Sequence, residues 1–224
     1  LAHPQSNRIA RAFGIEAILD NVGPKGSLRR TANEAKIGCI TYEGGGSNEA
    51  DPESVQVAIY GVLNVLRSLR MIPGYPSRPP FRLIASGSTW IRSDQGGLLD
   101  VLAPAGSFVE DGEIVATVTD PECPGVSHNI HAPSRGLLIG TATHPFVTAG
   151  TPIGHLLPVV RGIKTLRKRL DVEGCLIICG SDGEPPWRED DDVEDIAIAG
   201  EWSGGSPDAE WGHQSGLDIE EESE

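Results

Sequence analysis

The spacing of apolar residues predicts alternating helices and strands over residues 1–75. In "PQSNRIARAFG", Ile9, Ala12 and Phe13 recur at helical spacing and would lie on one face of a helix. "EAILD" is a short strand candidate, and "IGCITY" (residues 37–42) has the apolar and β-favouring composition of another strand. This order of elements predicts an α/β sheet with covering helices.

Two further helices have recognisable starting signals. Ser27 precedes "LRRTANEAK" as a helix N-cap, and Asp51 precedes Pro52, which is favoured at the first position of a helix. From Pro52 onward, apolar residues recur at helical spacing as far as Met71, which predicts a buried stripe. The stripe consists of Val55, Ala58, Ile59, Val62, Leu66 and Leu69.

A proline-rich segment divides the chain. "PGYPSRPP" (residues 73–80) is typical of a linker, which we place at residues 76–80. Beyond it, residues 81–160 have the pattern of short strands separated by Gly, Pro and Asp turns. The sequence thus predicts an α/β unit at residues 1–75, which the family resemblance described below implies is the C-terminal part of a larger α/β domain, followed by an all-β barrel or sandwich domain.

The all-β region contains an internal repeat. "GLLDVLAPAGSFVEDGEIVATV" begins at Gly97 and "GLLIGTATHPFVTAGTPIGHLL" begins at Gly136. Both halves have Gly-Leu-Leu at the front and Phe-Val before a glycine turn at the back. Two halves related by a pseudo-twofold axis would each bury the face that the other cannot bury alone. The repeat therefore favours a small sandwich or barrel.

The acidic residues are concentrated towards the C-terminal end. The formal net charge is −14, but residues 1–170 hold 17 Lys and Arg against 14 Asp and Glu. Residues 171–224 hold one Arg against 18 acids. After an extension of helix and strand at 161–180, segment 181–224 is predicted to be an acidic, largely disordered tail. Within it, "VEDIAIAGEW" could form one edge strand, and the paired "EW" at 201 and 210 could be a docking motif or only part of a solvating tail.

This distribution argues against some partners. Phosphate binding needs clustered cations, and the one basic cluster, "RGIKTLRKRL", is better explained as a solvated helix face, so nucleic acid is not expected. No apolar run approaches the roughly 20 residues that span a bilayer, and no leader peptide is recognisable. We therefore expect a cytoplasmic protein without a membrane partner. Because the chain starts at Leu1 and not Met, we expect a fragment or a processed chain; a homo-oligomer stays open.

Glu43 stands where the predicted strand 37–42 meets three glycines, Gly44 to Gly46. In an open α/β sheet, ligands bind at the carboxyl ends of the strands, and glycines let the backbone approach a ligand closely. A partly desolvated carboxylate at such a place can act as a general base and then as a general acid. The alternative is a Glu that caps a loop or pairs with a surface Arg.

Arg29 and Arg30 are the second candidate group. Adjacent residues on a helix point roughly 100° apart, so at most one of the two faces a cleft. A guanidinium held there can bind a substrate carboxylate through two hydrogen bonds. Two solvated arginines are the alternative.

The histidines and cysteines form no recognisable metal motif. The chain has six His and four Cys, but no H-x-x-E, H-E-x-x-H or C-x-x-C. His128 and His131 in strand-like "SHNIHAP" would point to opposite faces, and Cys175 and Cys179 in "CLIIC" would be buried apolar side chains. The chain by itself therefore shows no zinc site.

Several segments match one known family. They are "ARAFG", "SLRRTANEAKIGCITYEGGG" and "VAIYGVLNVLRSLRMIPG", followed by "GGLLDVLAPAGSFVEDGEIVATVTDP" and "IHAPSRGLLIG". From about Arg8 to Pro158, the chain resembles the second half of the succinylglutamate desuccinylase/aspartoacylase family. These are zinc-dependent amidohydrolases with a carboxypeptidase-like α/β domain and a C-terminal β-barrel domain. The resemblance implies a zinc-dependent deacylase of N-acylated amino acids or similar small acyl compounds.

The resemblance also implies roles for single residues. Glu43 takes the place of the family's catalytic glutamate, which activates a zinc-bound water and then protonates the leaving amine. Arg29 takes the place of an anchor for the substrate carboxylate. The family's zinc ligands, a His-x-x-Glu pair and a later His, would lie upstream of Leu1, and His3 does not match the last of them. We therefore expect this chain to be an incomplete hydrolase, inactive by itself.

Two other functions stay open at this point. One is a non-catalytic β-sandwich module for binding or regulation. "HAPSRG" resembles a turn of biotinyl and lipoyl carrier modules, but residues 81–160 contain no Lys to carry such a group. The other is a metallocarboxypeptidase that acts on peptides, which would use zinc and a Glu in the same way.

Overall fold

The computed structural model describes residues 4–46, 50–79, 81–123, 125–160, 163–167 and 194–198. It contains both helices and sheets, as the sequence predicts. Its helices are α1 (Pro4–Phe13), α2 (Leu28–Glu34), α3 (Pro52–Ser68) and α4 (Ile163–Arg167). The starting signals lie where the sequence places them, because Ser27 caps α2 and Asp51 caps α3 with Pro at the start of the helix.

The strands form three sheets. They are β1 (Ala17–Leu19), β2 (Phe81–Ala85), β3 (Thr89–Arg92), β4 (Gly97–Val101), β5 (Phe108–Val109), β6 (Ile114–Thr119), β7 (Ser127–His131), β8 (Gly136–Thr141), β9 (Phe146–Val147), β10 (Pro152–Pro158) and β11 (Glu194–Ile198). One sheet has the order β1-β2-β11, a second β3-β10-β8-β5, and a third β7-β6-β4-β9.

The three-stranded sheet is parallel and has β2 at its centre. Phe81, Leu83 and Ala85 are buried, and Arg82 between them is buried as well. A strand without polar alternation is typical of a parallel sheet that is covered on both faces. This first strand after the proline segment thus adds to the α/β sheet. On its other side β11 forms the edge strand that "VEDIAIAGEW" predicts.

The repeat gives each half the same three strands, and the halves pair reciprocally. In β5, Phe108 lies opposite Leu137 of β8; in β9, Phe146 lies opposite Leu98 of β4. Each short Phe-Val strand therefore completes the sheet of the other half. The two antiparallel sheets share one hydrophobic cluster, to which strands of both contribute.

A second cluster joins the antiparallel strands to the parallel sheet. Leu137 of β8 and Leu157 of β10 pack there with β2, whereas their neighbours Leu138 and Leu156 belong to the first cluster. Because side chains alternate along a strand, β8 and β10 are buried on both faces. Leu166 of α4 completes the second cluster.

Residues 37–42 do not form the predicted strand. The described residues 37–46 have no helix or strand, and two of the N–H groups bond to side chains of α1 instead. Gly38 N donates to Gln5 Oε1 at 3.2 Å, and Cys39 N donates to Ser6 Oγ at 3.1 Å. The strand prediction is wrong here, because a β-favouring composition needs a neighbouring strand before it makes a ladder.

The predicted buried stripe of α3 is also wrong. Val55, Ile59, Val62 and Leu69 are 42% to 52% exposed, and Met71 is 67% exposed. The buried residues of α3 are Gly61 and Asn64, on the face that packs against α1. The apolar period located the helix correctly but not the face that is covered within the described chain.

Asn64 holds the proline segment against the two helices. Its side-chain nitrogen donates to the carbonyls of Phe13 and Ser77, both at 3.4 Å, and its oxygen accepts from Ser77 N at 3.1 Å and Ser77 Oγ at 3.2 Å. A fully buried amide with this many partners fixes the local geometry. The chain thus leaves α3 in a defined direction towards β2.

Other sequence predictions lie outside the described residues. Of the extension at 161–180, only α4 is described, and of the acidic tail only the backbone of β11. The assignment of Cys175 and Cys179 to a buried strand also lies outside. Within the described part of the chain, no helix is both long and apolar enough to cross a membrane.

Candidate functional site

Glu43 lies in the loop that leads into α3, and its side chain is exposed. The residue before it is fixed. The Tyr42 ring stacks on Phe13 of α1 with centroids 5.2 Å apart, and its hydroxyl donates to the carbonyl of Ser54 in α3 at 3.0 Å. Two helices therefore position the backbone from which Glu43 projects.

The three glycine positions after Glu43 differ in whether, and why, the loop needs glycine there. A Cβ at Gly44 would overlap the Tyr42 ring, so only glycine fits beside that ring. Gly45 has φ +82°, a conformation that side chains disfavour. Nothing lies within 4 Å of a Cβ at Gly46. The loop therefore needs its first two glycines for its own path, whatever ligand it approaches.

The N-terminus of α3 holds the far side of this loop. Asp51 Oδ2 accepts hydrogen bonds from Ser54 Oγ at 2.5 Å and from Ser54 N at 2.9 Å. These bonds, the hydroxyl first, hold the pKa of Asp51 below its ordinary value. Because the carbonyl of the same Ser54 accepts from Tyr42, the cap and the loop form one connected unit.

Arg29 is half-buried at the start of α2 and is oriented by the preceding loop. Its Nη2 donates to Asn21 Oδ1 at 2.8 Å, and its guanidinium passes close to Gly23. Arg30 turns another way and pairs with Glu34 at 2.9 Å, one helical turn on. The two arginines thus separate as the helical geometry predicts, and Arg29 is the one without a carboxylate among its recorded partners.

Two surface cavities in the described part of the chain lie elsewhere. One, of about 490 Å³, is at the C-terminal end of α3 and is lined by residues from Arg67 to Tyr75. The other, of about 470 Å³, lies between β3 and β7. Neither includes Glu43 or Arg29, and among the described residues no hydrogen bond joins these two side chains.

Sequence reasoning missed several residues that the structure singles out. Tyr42 fixes the backbone before Glu43, Asn64 fixes the proline segment, and Glu16 is a buried carboxyl, 2% exposed, whose Oε1 has no hydrogen-bond partner among the described residues. Burial raises the pKa of Glu16 to about 7. The only available signal for Asn64 was a polar residue inside an otherwise apolar helix. Glu16 directly before the apolar strand "AIL" was a similar signal.

No protein-family model matches the chain, and no curated protein gives a significant match. Solved structures do match the fold.

Three of these structures illustrate the likeness. A succinylglutamate desuccinylase/aspartoacylase from Rhodobacter sphaeroides is 18% identical, covers 68% of this chain and 48% of its own, and has a TM-score of 0.61. The product-bound ectoine utilization protein EutE (DoeB) from Ruegeria pomeroyi is 18% identical, and the match covers 69% of this chain and 49% of that protein, with a TM-score of 0.64. An aspartoacylase family protein from Mesorhizobium loti is 20% identical, and the match covers 70% of this chain and 55% of that protein, with a TM-score of 0.56.

The fold is that of succinylglutamate desuccinylase/aspartoacylase structures. The resemblance read from the sequence is therefore confirmed at the level of fold. The chain spans about half the length of the structures it matches.

A zinc site of the kind expected for succinylglutamate desuccinylase/aspartoacylase enzymes needs three protein ligands or more. Within the described ranges, no group of three or more His, Cys, Asp or Glu side chains is placed to hold a metal ion. The donor set described here does not by itself fit zinc. Glu43 and Arg29 stay the site residues that the sequence predicts.

Proposed function

We propose that this chain is part of a hydrolase that cleaves the amide bond of N-acylated amino acids or similar small acyl compounds. The observation that carries the proposal is the fold match over about two thirds of the chain. Glu43, the expected catalytic residue, lies on a loop that two helices hold in place. A cytoplasmic location belongs to the same proposal.

Glu43 would exchange protons with the reacting groups. A carboxylate can accept a proton from the attacking water and later donate it to the leaving amine, which is general base and then general acid catalysis. The backbone on both sides of Glu43 is fixed, by the Tyr42 ring before it and by the cap of α3 after it. Pre-positioning of this kind lowers the entropic cost of the reaction.

Arg29 would hold the carboxylate of the substrate. Its guanidinium is a planar donor that suits a carboxylate, and Asn21 accepts from one of its nitrogens. Since Asn21 uses Nη2, other N–H groups of Arg29 remain to bind a substrate. The neighbouring Arg30 is already paired with Glu34 and has no such role.

We place the zinc ligands in polypeptide other than the described residues. Two observations support a partner layer that the described residues do not supply. Residues 37–42 have a strand composition without a strand beside them, and the apolar stripe of α3 is about half exposed. A further part of the α/β sheet would pair with residues 37–42 and cover the apolar stripe of α3.

The decisive test is Glu43→Gln in the complete protein that contains this chain. Loss of the proton carrier is expected to lower kcat by about 10² to 10⁴-fold with little change in KM. Glu53→Gln, an exposed Glu in the first turn of α3, is the matched control and should keep normal turnover. Near-normal turnover of Glu43→Gln would overturn the role of Glu43.

The substrate class can be tested in the same preparation. Acylated amino acids are compared with peptides that have a free C-terminus, and the proposal expects turnover of the first class. Preferred cleavage of peptides would indicate a metallocarboxypeptidase instead. Metal analysis of residues 1–224 alone should find less than stoichiometric zinc, because the described residues lack a ligand set.

A further inference from the structure

Ser88 and His155 form a close side-chain pair in the β region. Ser88 lies in the connection between β2 and β3, and His155 lies in β10. Ser88 Oγ and His155 Nε2 are 2.7 Å apart, although 67 residues separate them in the chain. A histidine within hydrogen-bond reach of a serine is the arrangement that activates a serine as a nucleophile. Neither residue has a part in the hydrolase site proposed above.

The register of the sheet brings these two side chains together. His155 lies directly opposite Trp90 in the antiparallel pair of β10 and β3. Ser88 immediately precedes β3 and is two residues from Trp90, so extended spacing places both side chains on one face. Ser88 is therefore the diagonal neighbour of His155, a distance that these side chains can bridge.

Trp90 fixes the orientation of the imidazole. The two rings stack with centroids 4.0 Å apart and planes 7° apart. In an activated serine-histidine pair a third group orients the histidine, and here the stacked ring does so. Trp90 is itself 42% exposed, so part of its apolar surface beside the pair is open to solvent.

His155 is mainly neutral at pH 7 and can accept a proton. Burial of the ring lowers its pKa below the ordinary value of 6.5. In the neutral tautomer with the hydrogen on Nδ1, Nε2 accepts from the Ser88 hydroxyl. Within the described ranges, no carboxylate bonds to Nδ1 to hold that tautomer. The pair is therefore a weaker base than one that an aspartate supports.

The space beside Ser88 is open to a small molecule. Ser88 is only half-buried, and nothing lies within 4 Å of a Cβ at Gly87. In the described part of the chain, the N–H groups of Gly87 and Ser88 make no backbone hydrogen bond. Backbone N–H groups, including that of the nucleophile itself, stabilise the oxyanion in serine hydrolases. An acyl group at Ser88 thus has access to the hydroxyl and candidate donors next to it.

We propose that Ser88 is an acyl-accepting nucleophile, with His155 as its general base, and that it reacts with aryl esters of small carboxylic acids. An ester with a good leaving group is expected, and not an amide, because the base has no carboxylate partner among the described residues. The exposed part of the Trp90 ring offers an aryl group an apolar surface on which it can stack.

The reaction is a transfer of the acyl group from the ester to the serine. Ser88 Oγ forms a bond to the acyl carbon, and the hydroxyl proton passes to His155 Nε2. The bond between the acyl carbon and the aryl oxygen then breaks, and the departing oxygen takes the proton from Nε2. The products are an acyl ester of Ser88 and a free phenol. No electrons are transferred, and the ester is the only other reactant.

The test treats the complete chain with p-nitrophenyl acetate and locates the acetyl groups by peptide mass spectrometry. Ser86, which is exposed and lies two residues away, is the internal control. We expect Ser88 to be acetylated about 10²-fold faster than Ser86 or more, because general base catalysis contributes about 10² to 10⁴-fold. Equal rates at the two serines, or acetylation of amino groups alone, would overturn the proposal.

His155→Gln tests the general base. Acetylation of Ser88 should slow by about 10²-fold or more, because an amide cannot take the proton. His128→Gln, the same change at an exposed histidine of β7, is the matched control and should leave the rate within about twofold. If His155→Gln acetylates Ser88 as fast as the unmodified chain, His155 is not the base and the proposal is wrong.

A measurement on the unmodified chain does not depend on whether a variant folds. Unfolding in urea separates Ser88 from His155, so acetylation of Ser88 should fall to the rate at Ser86. The same selectivity in urea would mean that the neighbouring sequence, and not the pair, makes Ser88 reactive, which overturns the proposal. An acetyl group on Ser88 also distinguishes this reaction from hydrolysis at the Glu43 site, which leaves no acyl group on the serine.

Discussion

The ring of Tyr42 lies over the α-carbon of Gly44, so that a side chain at Gly44 would overlap the ring. Glu43 is the residue between them. The same ring is held from the other side by Phe13 and through its hydroxyl by Ser54. The direction of the candidate catalytic side chain is thus coupled to the packing of α1 against α3.

Gly44→Ala is expected to destabilise the protein and to displace Glu43. The added methyl group forces the Tyr42 ring away from its hydrogen bond to Ser54, and overpacking of this kind costs about 1 to 3 kcal/mol. Urea unfolding measures the change. Gly46→Ala is the control, since nothing lies within 4 Å of its Cβ; equal midpoints for the two variants would contradict the steric argument.

Gly136→Ala is expected to destabilise the antiparallel sheets. A Cβ at Gly136 would overlap the backbone carbonyl of Leu157, which is fixed in β10 and cannot rotate away. We expect a loss of about 1 to 3 kcal/mol in the free energy of unfolding. Gly140→Ala, on the same strand β8, meets only the Cβ of His155 at 3.8 Å and should be nearly neutral.

Glu16 predicts a pH dependence of stability. Burial raises its pKa from 4.5 to about 7, so between these values the folded protein binds more protons than the unfolded chain. The free energy of unfolding therefore falls as the pH rises through this window, by on the order of 3 kcal/mol in total, and the loss is complete above it.

The measurement compares Glu16→Gln with the unmodified chain at pH 5 and pH 8. Gln keeps the shape of the side chain but does not ionise. The free energy of unfolding of the variant, relative to that of the unmodified chain, should therefore be higher at pH 8 than at pH 5. If the difference in the free energy of unfolding between the two proteins is the same at both pH values, Glu16 does not titrate in this range.

Arg29→Lys is expected to raise KM in the complete protein by about tenfold, because a lysine cannot form the two parallel hydrogen bonds of a guanidinium to a carboxylate. kcat should change less than KM. Arg30→Lys is the matched control on the same helix, and its pairing with Glu34 leaves it out of substrate binding. Equal changes in both variants would remove Arg29 from the site.

Local signals in the sequence predicted much of this fold. Ser27 and the Asp51-Pro52 pair mark helix starts through contacts within one turn, so no tertiary information is needed to read them. The repeat was readable because Gly-Leu-Leu and Phe-Val recur in order. The reciprocal pairing of β5 with β8 and of β9 with β4 gives that recurrence its structural meaning.

Other features depended on which parts of the chain meet. The composition of residues 37–42 favours a strand, but side chains of α1 bind two of its N–H groups instead. The period of α3 shows that one face is apolar, yet the covered face is the one with Gly61 and Asn64, because α1 packs there. The sequence pattern shows which residues a segment can bury. Whether those residues are buried depends on which other segment packs against them.

The sequence by itself determined where the helices start, the repeat of the β region and the candidacy of Glu43 and Arg29, because each of these depends on residues close together in the chain. The tertiary structure decided how Glu43 is held, that Glu16 is buried, and that β3 and β7 face each other across a cleft. These features join residues far apart in sequence, and their contacts form only when the sheets have packed.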